Sequence, residues 1–105
     1  MLEEFDFALY EYFYTDHAGH SQSMETSVGV LQMIDALVGG ILNALDQKTC
    51  LLIITSDHGN IEDLSKKSHT RNPVPLIAVG AQRDFITSRS KNLTHVSPAI
   101  LELLS

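Results

Sequence analysis

Apolar residues recur along the middle of the chain at steps of three and four positions, across residues 28–45. This spacing places them on one face of an α-helix. Ser21 or Ser23 offers a side-chain oxygen that can cap the first turn. The glycine pair at 39–40 interrupts the pattern at a cost of about 1 kcal/mol per residue relative to Ala. Because the apolar spacing continues beyond the pair, we predict a single long helix with one buried face.

Short apolar or aromatic runs predict the strands. Residues 51–55 (LLIIT) form a continuous apolar run bounded by polar residues, which is typical of a strand buried on both faces of a parallel sheet. Residues 76–79 (LIAV) predict another strand, and Pro75 fits only at its start. Residues 5–15, rich in Phe and Tyr, predict a strand that opens the fold.

The remaining residues complete the predicted order of strand, helix, strand, strand, helix. Residues 81–91 are polar and predict a connection, and a last helix begins at Ser97 or Pro98. This alternation favours an α/β fold with a mostly parallel sheet. A chain of 105 residues has room for one core at most, so no second domain is predicted within residues 1–105. Two helices cannot cover both faces of such a sheet, so we expect part of a larger sheet, or oligomerisation through the exposed sheet.

The charge balance narrows the classes of partner. Seven Lys and Arg residues against thirteen Asp and Glu residues give a formal charge of -6, which argues against binding to nucleic acid or to an anionic membrane. The single cysteine, Cys50, cannot form an intrachain disulfide, which favours a reducing, cytoplasmic location. Residues 1–6 have no features of a leader peptide, and the uninterrupted apolar runs are far shorter than a membrane span. We therefore predict no nucleic-acid partner and no membrane association.

Five side chains have the chemistry of transition-metal ligands, namely Asp16, His20, Asp57, His58 and His69. Most of them follow predicted strands, and in open α/β sheets ligands collect beyond the carboxyl ends of strands. Carboxylates combined with neutral imidazoles suit Zn, Mn or Fe ions better than Ca, which prefers oxygen ligands alone. Taken singly, each of these residues is better explained by a turn or by a surface position than by metal binding. Their spacing alone leaves the metal-site and loop interpretations equally open.

Three motifs together resemble a known family. Residues 55–62 (TSDHGNIE) and 69–77 (HTRNPVPLI) look like the metal-binding signature of cofactor-independent phosphoglycerate mutases, and residues 16–20 (DHAGH) resemble that family's Asp-x-x-Gly-His element. Residues 98–101 (PAIL) resemble the final helix of the wider alkaline phosphatase superfamily, which also contains phosphopentomutases and phosphatases. The likeness covers nearly the whole chain, in the family's order.

The resemblance implies the C-terminal half of a metalloenzyme domain, with a partial three-layer α/β/α sandwich of the alkaline phosphatase type. It implies up to two divalent ions in the full-length enzyme, with Mn or Zn expected, and a phosphorylated small-molecule substrate. One ion would be held by Asp16, His20 and His69, and part of the second site would be supplied by Asp57 and His58.

In the family, the nucleophilic Ser or Thr and a further Asp come from the N-terminal half of the domain. No serine of this chain matches the nucleophile's context. We therefore expect no catalytic residue here, and no activity from the chain alone.

Three further residues are weaker candidates. Asn60 and Glu62 are expected either to orient His58 or His69 or to cap the next turn. Arg71 is either a contact for a substrate phosphate or an exposed loop residue. An alternative to the enzyme segment is a non-catalytic module that binds one metal or a partner protein through the exposed sheet.

Overall fold

The computed structural model describes residues 6–105, and residues 1–5 lie outside the described part of the chain. It contains four helices and two strands, in the order α1 (Tyr14–Ser21), α2 (Met24–Ala44), β1 (Leu51–Thr55), β2 (Leu76–Gly80), α3 (Arg83–Arg89) and α4 (Val96–Leu104). A 3-10 turn over Leu93–His95 leads directly into α4. The predicted α/β class is confirmed at this level.

The long helix α2 begins where the sequence predicts. The Ser23 Oγ accepts a hydrogen bond from the Thr26 amide at 3.2 Å, which satisfies one of the free donors of the first turn. Helix α1 packs against this helix, in which Ser27 is buried and Ile34 and Val38 are half-buried. The helix continues through the glycine pair at 39–40, around which there is open space.

Apolar side chains of α2 extend well beyond its packed side. Met24 is 68% exposed and Met33 is 62% exposed. By length and composition this 21-residue helix, with a mean hydropathy of 1.4 over its most apolar window, is long and apolar enough to cross a bilayer. The core helices of soluble proteins meet the same criterion when a larger structure covers them. The absence of membrane association therefore stays a prediction.

The sheet is antiparallel, so the prediction of a mostly parallel sheet is wrong for the described residues. Leu51 pairs with Gly80 and Thr55 with Leu76, which makes β1 and β2 the two arms of a long hairpin. The continuous apolar run of β1 suggested burial on both faces, but the strand is only half-buried. The apolar composition of a strand indicates burial but does not determine its direction. The direction depends on the segment that connects it to the neighbouring strand. The carboxyl end of β1 consequently lies beside the amino end of β2.

The prediction of an opening strand over residues 5–15 is also wrong for residues 6–15. Phe5 lies outside the described residues. Residues 7–13 have no regular structure, and α1 begins at Tyr14. A strand needs hydrogen-bonding neighbours on at least one side. Within residues 6–105, β1 and β2 pair with each other and no third strand joins them. Phe13 is 70% exposed at the end of this segment.

The predicted connection over residues 81–91 instead contains α3. Its Ile86 is fully buried, where α3 packs against β2 and α4. A seven-residue helix is too short to show an apolar repeat, which explains why the sequence did not reveal it. The predicted final helix is confirmed as α4, which begins one residue before the predicted start.

The core of the described chain is thin. Its buried apolar residues are Ala18, Ile86 and Ala99. The radius of gyration is 15.0 Å, whereas a well-packed domain of this length is expected to have about 13 Å. Much apolar surface of this chain therefore lacks a covering layer.

Candidate metal centre

The connection between β1 and β2 carries three of the candidate ligands. Asp57 and His58 follow the end of β1, and His69 precedes β2. The Thr70 amide donates to the Gly59 carbonyl oxygen at 2.8 Å, and the two residues form an isolated antiparallel bridge. A Cβ on Gly59 would collide with the Thr70 side chain, so this close approach requires glycine. The bridge brings the His58 and His69 segments together.

Helix α1 supplies the other two ligands. Asp16 and His20 are four residues apart, which places both side chains on one face of the helix. The His20 Nε2 atom lies 3.1 Å from the Asp16 Oδ1 atom. This face is directed toward the β1–β2 connection.

Three imidazoles converge on one carboxylate oxygen. The Nε2 atoms of His20, His69 and His58 lie 3.1, 3.2 and 3.4 Å from Asp16 Oδ1. This oxygen is shielded from solvent and accepts no hydrogen bond from residues 6–105. A buried carboxylate oxygen without a donor is costly, and a cation placed among these atoms would remove the cost. Asp16, His20 and His69 each offer one ligand atom, all within 4.8 Å of one another.

Backbone carbonyls set the proton positions on two of the rings. The His20 Nδ1 atom lies 2.5 Å from the Lys67 carbonyl oxygen, and the His58 Nδ1 atom lies 3.3 Å from the Gly59 carbonyl oxygen. A carbonyl oxygen can only accept, so in each neutral ring Nδ1 carries the proton. The Nε2 lone pairs are then available for a metal ion, which is the arrangement common to metal-binding histidines.

The rings of His58 and His69 are stacked, with centroids 3.4 Å apart and an interplanar angle of 12°. Both Nε2 atoms lie within 3.4 Å of Asp16 Oδ1. The stacking therefore holds the two rings side by side at the candidate metal centre.

Asp57 differs from the other candidates. Its side chain is 89% exposed, and its Oδ1 atom lies 3.4 Å from His58 Nε2. His58 thus lies between Asp16 and Asp57, in contact distance of both carboxylates. Asp57 adds an open, negatively charged edge to the cluster.

Asn60 fixes α1 against the β1–β2 connection. Its side chain is 3% exposed, and its Nδ2 atom donates to the Lys66 carbonyl oxygen at 2.9 Å. A Cβ on Gly19 would lie 2.6 Å from the Asn60 Oδ1 atom, so the helix approaches this side chain through a glycine. Asn60 therefore positions the helix that carries Asp16 and His20.

Glu62 clamps the His69 segment. Its Oε2 atom accepts hydrogen bonds from Thr70 Oγ1 at 2.7 Å and from Asn72 Nδ2 at 2.9 Å. These two donors lower the pKa of the Glu62 carboxyl, because they stabilise its charged form. Within residues 6–105, neither Glu62 nor Asn60 hydrogen-bonds an imidazole. The sequence singled out both residues but missed Thr70 and Asn72, the partners of Glu62, and the Lys66 carbonyl oxygen, the partner of Asn60.

Arg71 lines an open cleft of about 640 Å³ beside Asp57 and His58. The sequence placed this arginine next to a candidate ligand. The cleft itself depends on how the connection folds against the residues that follow α3, for which the sequence carries no signal.

The sequence of the chain is similar to those of known proteins. The sequence profile of the metalloenzyme superfamily matches residues 1–105. The 2,3-bisphosphoglycerate-independent phosphoglycerate mutase of Pseudomonas fluorescens (strain Pf0-1) is 35% identical over 97% of this chain and 21% of its own length. Proteins of the same name from Lawsonia intracellularis and Moorella thermoacetica are 34% and 28% identical, over 84% and 98% of this chain and 18% and 21% of their own lengths. No solved structure matches the chain.

The extent of these matches is uneven. The chain aligns over nearly all of its own residues but spans about a fifth of the length of the curated relatives. Both the DHAGH and TSDHGNIE segments fall within the part of the chain that the superfamily profile covers.

Proposed function

Because the chain belongs to the metalloenzyme superfamily, we propose that it is the metal-binding segment of a two-metal phosphoryl-transfer enzyme of the phosphomutase or phosphatase type. The observation that carries this proposal is the Asp16 Oδ1 atom, which is shielded from solvent, accepts no hydrogen bond within residues 6–105 and faces three imidazole Nε2 atoms. The superfamily match and the names of the relatives support the same assignment.

The proposed ligand sets follow the donor chemistry. Asp16, His20 and His69 hold one divalent ion, and Asp57 and His58 contribute to a second site, with Mn or Zn as the ions that suit imidazole and carboxylate donors. Such ions, when bound, stabilise negative charge on the phosphoryl oxygens during in-line displacement.

The residues of this chain hold and orient the donors. The Lys67 and Gly59 carbonyl oxygens keep the protons of His20 and His58 on Nδ1. The exposed Asp57 carboxylate, at the edge of the cleft, completes the group of donors on the side where a substrate can approach.

The proposal extends to the activity of the whole enzyme. Given that the relatives are about five times as long, we propose that the nucleophile lies in further polypeptide outside this segment. The substrate is a phosphorylated small molecule, and the enzyme is cytoplasmic. The further polypeptide also covers the exposed residues of α2 and of segment 7–13 to complete a three-layer α/β/α sandwich.

Metal binding by the chain tests the first site. We expect Asp16→Asn to lower the affinity for Mn²⁺ or Zn²⁺ at least tenfold in isothermal titration calorimetry, because the amide keeps the shape of the side chain but loses its charge. Asp35→Asn is the matched control, since Asp35 is an exposed carboxylate of α2 outside the cluster. Equal affinities for wild type and Asp16→Asn would contradict the proposed ligand set.

Catalysis by the isolated chain is a separate test. We expect the 105-residue chain, loaded with Mn²⁺ or Zn²⁺, to show no phosphoglycerate mutase or phosphatase turnover beyond that of an Asp57→Ala, His58→Ala double variant. Turnover clearly above this control would show that the chain supplies its own attacking group, and the proposal of an inactive segment would be wrong.

A further inference from the structure

A second feature beside the metal cluster is the cleft of about 640 Å³ that Asp57 and His58 border on one side. Its other walls come from the residues before β2 and from the turn that leads into α4, including Arg71, Asn72 and Lys91. The cleft opens directly from the candidate metal centre. A ligand that reached Asp57 and His58 would extend into it.

Two cationic side chains line this cleft in a chain whose formal charge is -6. Within residues 6–105, neither Arg71 nor Lys91 forms an ion pair; the ion pairs involve the histidines of the cluster and the Arg89–Glu102 contact. Arg89, by comparison, also covers the ring of Phe85. The guanidinium and ammonium groups of the cleft thus retain their full capacity to bind an anion.

The backbone around Lys91 is fixed by local hydrogen bonds. The Lys91 amide donates to His95 Nδ1 at 2.9 Å, and the Asn92 Oδ1 atom accepts from the Thr94 amide at 3.0 Å. These bonds hold the turn that places Lys91 on the wall opposite the β1–β2 connection. The start of the helical segment over residues 93–104 lines the same wall and adds a smaller positive potential.

We infer that this cleft binds a second oxyanion group of the substrate, a phosphate or a carboxylate, through Arg71 and Lys91, while the reacting phosphoryl group lies at the metal cluster. The inference rests on the proposed function for the identity of the ligand as a substrate group. It explains why cations that pair with no carboxylate in residues 6–105 line the cleft beside the Asp57 carboxylate. Lys91, which the sequence did not single out, becomes a specificity-determining residue.

The test is an NMR titration of the ¹⁵N-labelled, metal-free chain with inorganic phosphate in one arm and acetate in the other. We expect phosphate, acetate or both to shift the amide signals of residues 71–72 and 91–94. The arm that produces the shift identifies the group. The double variant Arg71→Gln, Lys91→Gln should weaken this binding at least tenfold. Lys48→Gln, Arg83→Gln is the matched control, because it removes the same charge from two exposed positions outside the cleft, and it should change binding less than twofold.

The outcomes separate this inference from the proposed function. The inference would be overturned if neither phosphate nor acetate shifted these amide signals. It would also be overturned if the two double variants weakened anion binding equally. Metal affinity is measured by calorimetry without phosphate. If the chain binds metal but shows no response to the anions, the inferred anion binding is rejected and the proposed metal site is kept. An anion response at Arg71 and Lys91 without any metal binding rejects the proposed function and leaves the cleft in place. Arg71 and Lys91 are both exposed, so their substitution should leave the fold intact. Unchanged amide signals elsewhere in the double variant would show that its weaker anion binding is not caused by misfolding.

Discussion

At the scale of single residues, the Glu62 carboxylate links the stability of the site to pH. Its pKa is lowered from the usual 4.5 by the hydrogen bonds from Thr70 and Asn72. A group with a lowered folded-state pKa stabilises the fold above its unfolded pKa, and this contribution is lost as the pH falls through the folded value. We expect the wild type to lose stability more steeply than Glu62→Gln as the pH falls from 5 to 3, because the variant has no carboxyl to titrate there.

Denaturant unfolding at a series of pH values measures this difference. The effect is small, because Glu62 is solvent-accessible and water screens its interactions. Glu102→Gln is the control, since Glu102 is an exposed carboxylate that pairs with Arg89 away from the cluster. Parallel pH profiles for wild type and Glu62→Gln would show that the clamp on Thr70 and Asn72 contributes nothing.

Single residues also mark the limit of what the sequence reveals about the site. The five candidate ligands of the site could be chosen from side-chain chemistry and motif spacing. Four of them meet in the structure, since His20, His58 and His69 surround the Oδ1 atom of Asp16. The groups that orient them could not be chosen, because the carbonyl oxygens of Lys67 and Gly59 belong to the backbone, which every residue has. Thr70 and Asn72 had a weak signal at best, in their position next to His69.

At the scale of elements, the packing of α1 on the β1–β2 connection depends on Gly19. A Cβ there would lie 2.6 Å from Asn60 Oδ1, and Asn60 is buried and bonded to the Lys66 carbonyl oxygen. We expect Gly19→Ala to destabilise the chain by about 1–3 kcal/mol through overpacking, and to weaken metal binding because α1 carries Asp16 and His20. Thermal unfolding and calorimetry measure the two effects.

Gly39→Ala is the matched control for this prediction. Apart from the backbone of α2 itself and the two neighbouring residues, no atom lies within 4 Å of a Cβ at this position. The substitution is therefore expected to stabilise the helix by about 0.5–1 kcal/mol and to leave metal affinity unchanged. A stabilising effect of Gly19→Ala similar to that of Gly39→Ala would mean that Asn60 does not fix α1.

The elements themselves were predictable in proportion to their length and periodicity. Helix α2 was found from its apolar spacing and the Ser23 cap, whereas α3 was missed because seven residues hold too few apolar positions to define a period. The predicted direction of β2 relative to β1 was wrong, because an apolar run indicates that a strand is buried but not how it pairs with the adjacent strand. The antiparallel pairing still brings Asp57 and His69 to the same end of the sheet, because the chain returns there through the connection.

At the scale of the whole molecule, the described chain exposes apolar surface that a self-sufficient domain would bury. Its radius of gyration of 15.0 Å exceeds the value of about 13 Å expected for its length, and Leu31 and Met33 of α2 are 48% and 62% exposed. Apolar surface of this kind associates in water. We expect the isolated chain to self-associate, with a weight-average sedimentation coefficient that rises with protein concentration.

The α2 surface should dominate this association. Leu31→Gln, Met33→Gln keeps good helix propensity while it removes apolar area, so it should reduce the concentration dependence markedly. Leu101→Gln is the control, because Leu101 is 66% exposed on α4. A chain that stays monomeric at all concentrations, or one in which both variants act alike, would contradict a specific role for α2. If α2 does dominate, the helix that contacts α1 on one side is also the surface that the further polypeptide is proposed to cover.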